Sequence, residues 1–178
     1  TNAIDLRNGT GLTLADLNIS NSSSSAVYLS EIAQPLTLKR LRLTGNNTAL
    51  SVYRIRGTAD APFRIDALGA DAPFSDLDGN ARTVYVNDSS YVTVANFSVG
   101  ATIAGIDANV ALNDHVTVEN VQVTCAPGIG TGVSIGGSYG AVRNVGIARC
   151  LYGIYTSTAA PNLVVEDSNV RFVTNYAL

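Results

Sequence analysis

The chain has no methionine and no tryptophan, a single histidine (His115) and only two cysteines (Cys125 and Cys150) among 178 residues. Each shortage excludes something. Without methionine it is expected to be a piece of a longer protein, or else a mature secreted one, rather than a complete unprocessed translation product. One histidine and no Cys-x-x-Cys pair argue against a histidine- or thiolate-rich metal centre. Eleven basic residues face 14 acidic ones, and a net charge of −3 provides no basic field for nucleic acid or anionic lipid. No apolar run approaches the ~18 residues of a membrane span, and no signal peptide is visible.

What remains is 46% hydrophobic residues with 16 glycines. Valine, isoleucine, leucine, threonine and tyrosine suit short strands joined by tight turns. The length is that of one domain, 1–178, with a substantial core.

A repeat organises these residues. VTVANFSV (92–99) recurs as VTVENVQV (116–123). Apolar residues at a, a+2, a+5 and a+7, often with a short polar residue at a+4, give seven copies starting at Leu12, Leu36, Phe63, Val92, Val116, Gly140 and Leu163. Their spacings are 24, 27, 29, 24, 24 and 23, and a fixed period in the twenties reads as a solenoid. In LTLADLNI the alternation slips by one residue at Ala15-Asp16. A straight strand would place Leu17 on the wrong face, so a bend is required there. Each unit is thus strand, turn, strand, bend, strand, giving three faces per coil. The a+4 positions hold Asp16, Arg40, Ala67, Asn96, Asn120, Asn144 and Asp167. Asparagine and aspartate tolerate left-handed backbone, and Asn96, Asn120 and Asn144 on consecutive coils predict a stacked asparagine ladder inside or along the bend. The stretch 57–82, with Asp60, Asp66, Asp71, Asp76 and Asp78, departs furthest from the period and reads as a loop-like insertion. Neither end carries an amphipathic cap, so an oligomer or flanking domains are expected to cover the end coils.

The units SSYVTVANFSV and VTVENVQV, with their bend asparagines, resemble the right-handed parallel β-helix repeats of the pectate-lyase-like superfamily. GTADAPFRIDALGADAPFSDLDG resembles an opening coil seen in its polysaccharide-active members. The resemblance implies an all-β, right-handed, three-faced parallel β-helix of about seven coils. It does not carry over a catalytic set. Paired aspartates, Gly-His-Gly and Asp-Pro-His are absent, and Arg-Ile-Arg at 54–56 stands alone.

Candidate sites are therefore read residue by residue. Asp107 points outward by alternation, and Asp114-His115 occupy the following turn, a carboxylate–imidazole set with acid–base potential set against a reading as solvated turn residues. Tyr28, Tyr85 and Tyr155 occupy comparable strand positions and Tyr53 joins them, a platform for stacking sugars or a protein contact, set against a reading as isolated surface tyrosines. Calcium is the one cofactor considered, with Asp76 and Asp78 supplying oxygen ligands in the DLDGN turn, although the distant glutamate of an EF-hand loop is missing. Otherwise no cofactor is expected. Cys125 and Cys150 fall at a+9 and a+10 of adjacent copies, so they are either stacked core residues or a disulfide. The expected function is a carbohydrate-associated binding or scaffold segment of a secreted, cell-surface or phage-tail protein, with polysaccharide or cell-surface glycan as partner. A lyase or hydrolase acting on acidic polysaccharide is the alternative, and a structural spacer the third.

Overall fold

The bend in LTLADLNI fixes the architecture. Leu12–Ala15 and Asn18–Ser20 are separate strands, and Asp16 between them has φ 56°. The same left-handed corner recurs at Arg40, Asn96, Asn120, Asn144 and Asp167, with φ from 46° to 63°. The computed structural model describes residues 1–67, 74–101, 103–156 and 159–175, with the backbone alone at 74–76.

Three walls of parallel strands result. The first is one continuous seven-stranded sheet of β1 (Ile4–Arg7), β4 (Ser25–Ser30), β7 (Thr48–Tyr53), β10 (Arg82–Asn87), β13 (Ala104–Ala108), β16 (Thr131–Ile135) and β19 (Tyr152–Tyr155). The second wall holds β2 (Leu12–Ala15) and β5 (Leu36–Lys39) as a pair. It then holds β8 (Phe63–Asp66), β11 (Ser90–Ala95), β14 (Asp114–Glu119), β17 (Ala141–Arg143) and β20 (Val164–Glu166) as a five-stranded sheet. The third wall holds β3 (Asn18–Ser20), β6 (Leu41–Thr44) and β9 (Phe74–Asp76), followed by a separate sheet of β12 (Ser98–Ala101), β15 (Gln122–Cys125), β18 (Gly146–Ala148) and β21 (Asn169–Arg171). Every ladder is parallel, and the chain makes about six turns of a β-solenoid. Among the described residues no helix is long and apolar enough to cross a membrane.

The repeat and the register agree. Leu12 pairs with Leu36, and Phe63 with Val92 and then Val116. Thr117, Ala141 and Val164 continue the row one residue on. The stretch 57–82 is not wholly a loop: β8 and β9 lie within it and rejoin the stack, because Phe63 and Ile65 carry the repeat and are buried. Residues 68–73 of that stretch fall outside the described residues.

Inward valine, isoleucine and leucine side chains from all three walls form one core, with Val27, Val84, Val94, Ile106 and Val118 fully buried. Cys125 and Cys150 lie in it as a disulfide, their Cα atoms 4.8 Å apart, which resolves the two alternatives in favour of the bond. Thr83 is fully buried, and its hydroxyl has no hydrogen-bond partner. Replacing a lone buried hydroxyl by a methyl of the same shape removes a desolvation cost, so Thr83→Val is expected to stabilise the fold by about 1 kcal/mol. Urea unfolding checks this; a loss of stability would refute it.

The asparagines divide into two groups. The bend residues stand along the outside: Asn144 donates to Asn120 at 2.8 Å, and Asn96 donates to Asp66 at 2.7 Å. A second, buried group lies where the chain enters or leaves the first wall. Asn80 Nδ2 donates to the carbonyls of Leu43 and Leu77, both at 2.6 Å, while its Oδ1 accepts from the Asn46 backbone N–H at 2.9 Å. Asn113 repeats the device, donating to the carbonyls of Val86 and Ala108 and accepting from Ser89 N–H. Here each interior turn meets backbone groups that have no strand partner, and one amide satisfies several of them. Of the Asn-x-Ser/Thr sequons, the one at Asn46 is closed to glycosylation by this burial.

Candidate functional site

Parallel pairing carries side chains from strand to strand without slippage, so outward positions of the first wall form columns. One column runs Asp5, Tyr28, Ser51, Tyr85, Asp107, Ser134, Tyr155. A second, two residues on, runs Arg7, Ser30, Tyr53, Asn87. Between and beside these columns lies a trough of about 630 Å³ lined by Tyr28, Tyr53 and Tyr85, with Arg7, Arg82 and Asp107 at its edges. Three of the four tyrosines expected to act together are thus assembled. Tyr155 shares the column but lies three strands beyond Tyr85, tilted against Tyr152 at 5.1 Å between ring centres.

The trough is polar and internally paired. Arg82 Nε bonds Asp107 Oδ2 at 2.9 Å, and its guanidinium lies 5.9 Å from the Tyr85 ring centre. Arg7 bonds Asp5 at 2.8 Å and lies 5.6 Å from the Tyr28 ring centre. The Arg7 guanidinium, helped by the Asn2 amide, holds the Asp5 carboxyl below the usual carboxylate range. Burial pushes the Tyr85 phenol upward, and the Asp107 charge adds to the rise. Asn87 Nδ2 donates to the Tyr85 hydroxyl at 3.1 Å, orienting that ring. On the floor, the hydroxyls of Ser25 and Ser51 share a hydrogen bond of 2.7 Å.

Asp107 is not joined by Asp114 and His115. It lines the trough of the first wall, whereas Asp114 and His115 begin β14 in the second wall, beyond the turn that follows β13. There the His115 ring is sandwiched between Tyr91 and Tyr139, with centres 4.3 and 4.7 Å apart and planes 14° from parallel in both pairs. All three have left-handed backbone, with φ 51°, 51° and 53°. For a bulky residue that conformation costs on the order of 1–2 kcal/mol. Each stacked pair returns about 0.5–1.5 kcal/mol, so the column offsets part of its own strain. His115 Nδ1 lies 2.9 Å from Asp114 Oδ2 but is not aligned as a hydrogen bond, and the contact is one of proximity.

Sequence reasoning missed Tyr91 and Tyr139. The signal was present: both, like His115, immediately precede the first residue of a repeat copy. It also missed Arg7, which bonds Asp5 two residues away and lies against Tyr28 of the next coil, and Arg82 and Ser51, whose partners are a full coil away. Among the described residues no group of three or more His, Cys, Asp or Glu could hold a metal ion. Asp78 is exposed, and the side chain of Asp76 lies outside the described residues.

Fold and candidate site together define a parallel β-solenoid with an aromatic and polar trough on its continuous seven-stranded wall. No protein-family model, no curated protein and no solved structure matches this chain.

Proposed function

We propose that this chain is a carbohydrate-associated binding or scaffold solenoid of a secreted, cell-surface or phage-tail protein, with glycan held in the trough of the first wall. The observation that carries the reading is the gathering of Tyr28, Tyr53 and Tyr85 with the Arg82–Asp107 pair in one cavity. A sugar presents C–H faces to aromatic rings and hydroxyls to paired donors and acceptors, and this trough offers both. The buried disulfide fits an oxidising compartment. The likeness of the repeats to right-handed pectate-lyase-like β-helices belongs to the same proposal.

Binding is favoured over hydrolysis by the charges. Glycoside hydrolysis generally needs two carboxylates facing one bond. Asp107 is the one carboxylate among the trough's described lining residues, and Arg82 engages it. In a glycan-array and calorimetric comparison, Tyr28→Ala and Tyr85→Ala are each expected to weaken binding about tenfold, the upper end of a stacking contribution. Undiminished affinity in both variants would refute the site. New ultraviolet absorbance from an unsaturated product on uronic-acid polymers would replace it with a lyase.

A further inference from the structure

We infer that the trough contains a notch for one neutral pyranose ring, seated between Tyr28 and Tyr85 above Ser51. The inference rests on the glycan-binding reading and narrows it to a sugar class and a seat.

The argument comes from comparing two columns of the same molecule. In the second wall, Tyr91 on β11, His115 on β14 and Tyr139 in the bend just before β17 stand on three consecutive levels of the stack, and their rings fill the column at 4.3 and 4.7 Å. Strand spacing alone therefore supports ring-on-ring contact. In the first wall, Tyr28, Ser51 and Tyr85 likewise stand on three consecutive levels, here in register within β4, β7 and β10, but the middle ring is missing. Two strand spacings separate Tyr28 from Tyr85 by about 9.6 Å at the backbone. A ring placed midway lies about 4.8 Å from each, within the range of stacked contacts. It would occupy the place in this column that the imidazole of His115 takes in the other.

The surroundings say which ring. Ser25 and Ser51 are both buried, and their hydroxyls face each other at 2.7 Å. That hydrogen bond consumes one of the two hydroxyl protons, and the other can be donated to a ligand oxygen above the floor. Asp107 and Arg82 beside Tyr85 provide an acceptor and a donor at the rim, and Tyr53, 6.3 Å from Tyr28, bounds the notch along the strand. The cations lining the trough are matched, Arg7 by Asp5 and Arg82 by Asp107, so no unmatched positive charge awaits a uronate carboxylate. Hydroxyl-rich, uncharged and ring-shaped describes a neutral sugar.

The test uses the whole chain in calorimetric titrations against neutral trisaccharides of gluco, manno and galacto configuration and against trigalacturonate. At least one neutral trisaccharide is expected to bind ten or more times more tightly than trigalacturonate. Ser51→Tyr supplies the missing ring. It is expected to keep or raise the thermal midpoint and to weaken that binding at least tenfold. Ser51→Ala, which keeps the notch but removes the floor hydroxyl, is expected to weaken it several-fold and covers the case in which the tyrosine variant does not fold. Retained or improved affinity in Ser51→Tyr, with loss in Tyr28→Ala, would overturn the notch while leaving a flat glycan platform standing. Unchanged affinity in Ser51→Ala, or preference for trigalacturonate, would also overturn it. No binding by any saccharide, or binding indifferent to Tyr28→Ala, would remove the underlying reading itself.

Discussion

Cys125→Ala combined with Cys150→Ala is expected to lower the stability of the solenoid by about 3.5 kcal/mol, the chain-entropy value for a loop of this size. The bridge closes 25 residues, one full coil, between the end of β15 and the residue after the turn that follows β18. It ties two successive turns through the core rather than across the surface, since both cysteines are buried. Reductant should therefore act on the native protein slowly and on the unfolded chain quickly. Denaturant titrations of the wild type, the reduced wild type and the double variant check this. The two bridge-less forms should agree within about 1 kcal/mol, and an unshifted midpoint in the variant would refute the role given to the bond.

The second large effect is expected at Asn80. In Asn80→Ala the carbonyls of Leu43 and Leu77 lose their donor, and the backbone N–H of Asn46 loses its acceptor. Each orphaned buried group costs about 1–3 kcal/mol, so the loss should reach at least about 3 kcal/mol. Asn120→Ala and Asn144→Ala form the control. Their amides meet each other at 2.8 Å on the exposed corner, where water replaces a lost partner. About 1 kcal/mol is expected there, mostly from placing alanine at positive φ. Equal losses at Asn80 and Asn120 would show that burial does not separate the two groups.

That contrast shows what could be read from the residues alone. The repeat placed Leu12 against Leu36 and Val92 against Val116, because apolar side chains recurring at fixed offsets leave only one register that buries them all. The corner at a+4 was equally visible, since asparagine and aspartate recur there for their tolerance of left-handed backbone. The interior amides were not. Asn46 and Asn80 are 34 residues apart, longer than the period, so the two rungs they join differ in length and no periodic search aligns them. The candidate site was legible in its parts: Tyr28, Tyr53, Tyr85 and Asp107, which line the trough, each stood out in the sequence. Their assembly was not, because Arg82 reaches Asp107 from 25 residues away and Ser51 matters only for the two rings beside it. Asp107 stands apart from Asp114 and His115 for the opposite reason. Nearness along the chain suggested nearness in space, but the corner after β13 sends the next strand into a different wall.

The interruptions of the second and third walls have a mechanical meaning. Among the described residues no ladder joins β5 to β8 or β9 to β12, while the first wall runs unbroken past both gaps. A load along the axis is shared by three rows of hydrogen bonds over most of the length, but by only two at each of these junctions. The gaps lie on different sides and one level apart, around the turn that contains β7, β8 and β9. Among the described residues this is the interior turn with the fewest ladders to its neighbours. Under tension the molecule should yield there first, bending away from whichever side is open, with the continuous wall acting as the backing strip that keeps both halves in line.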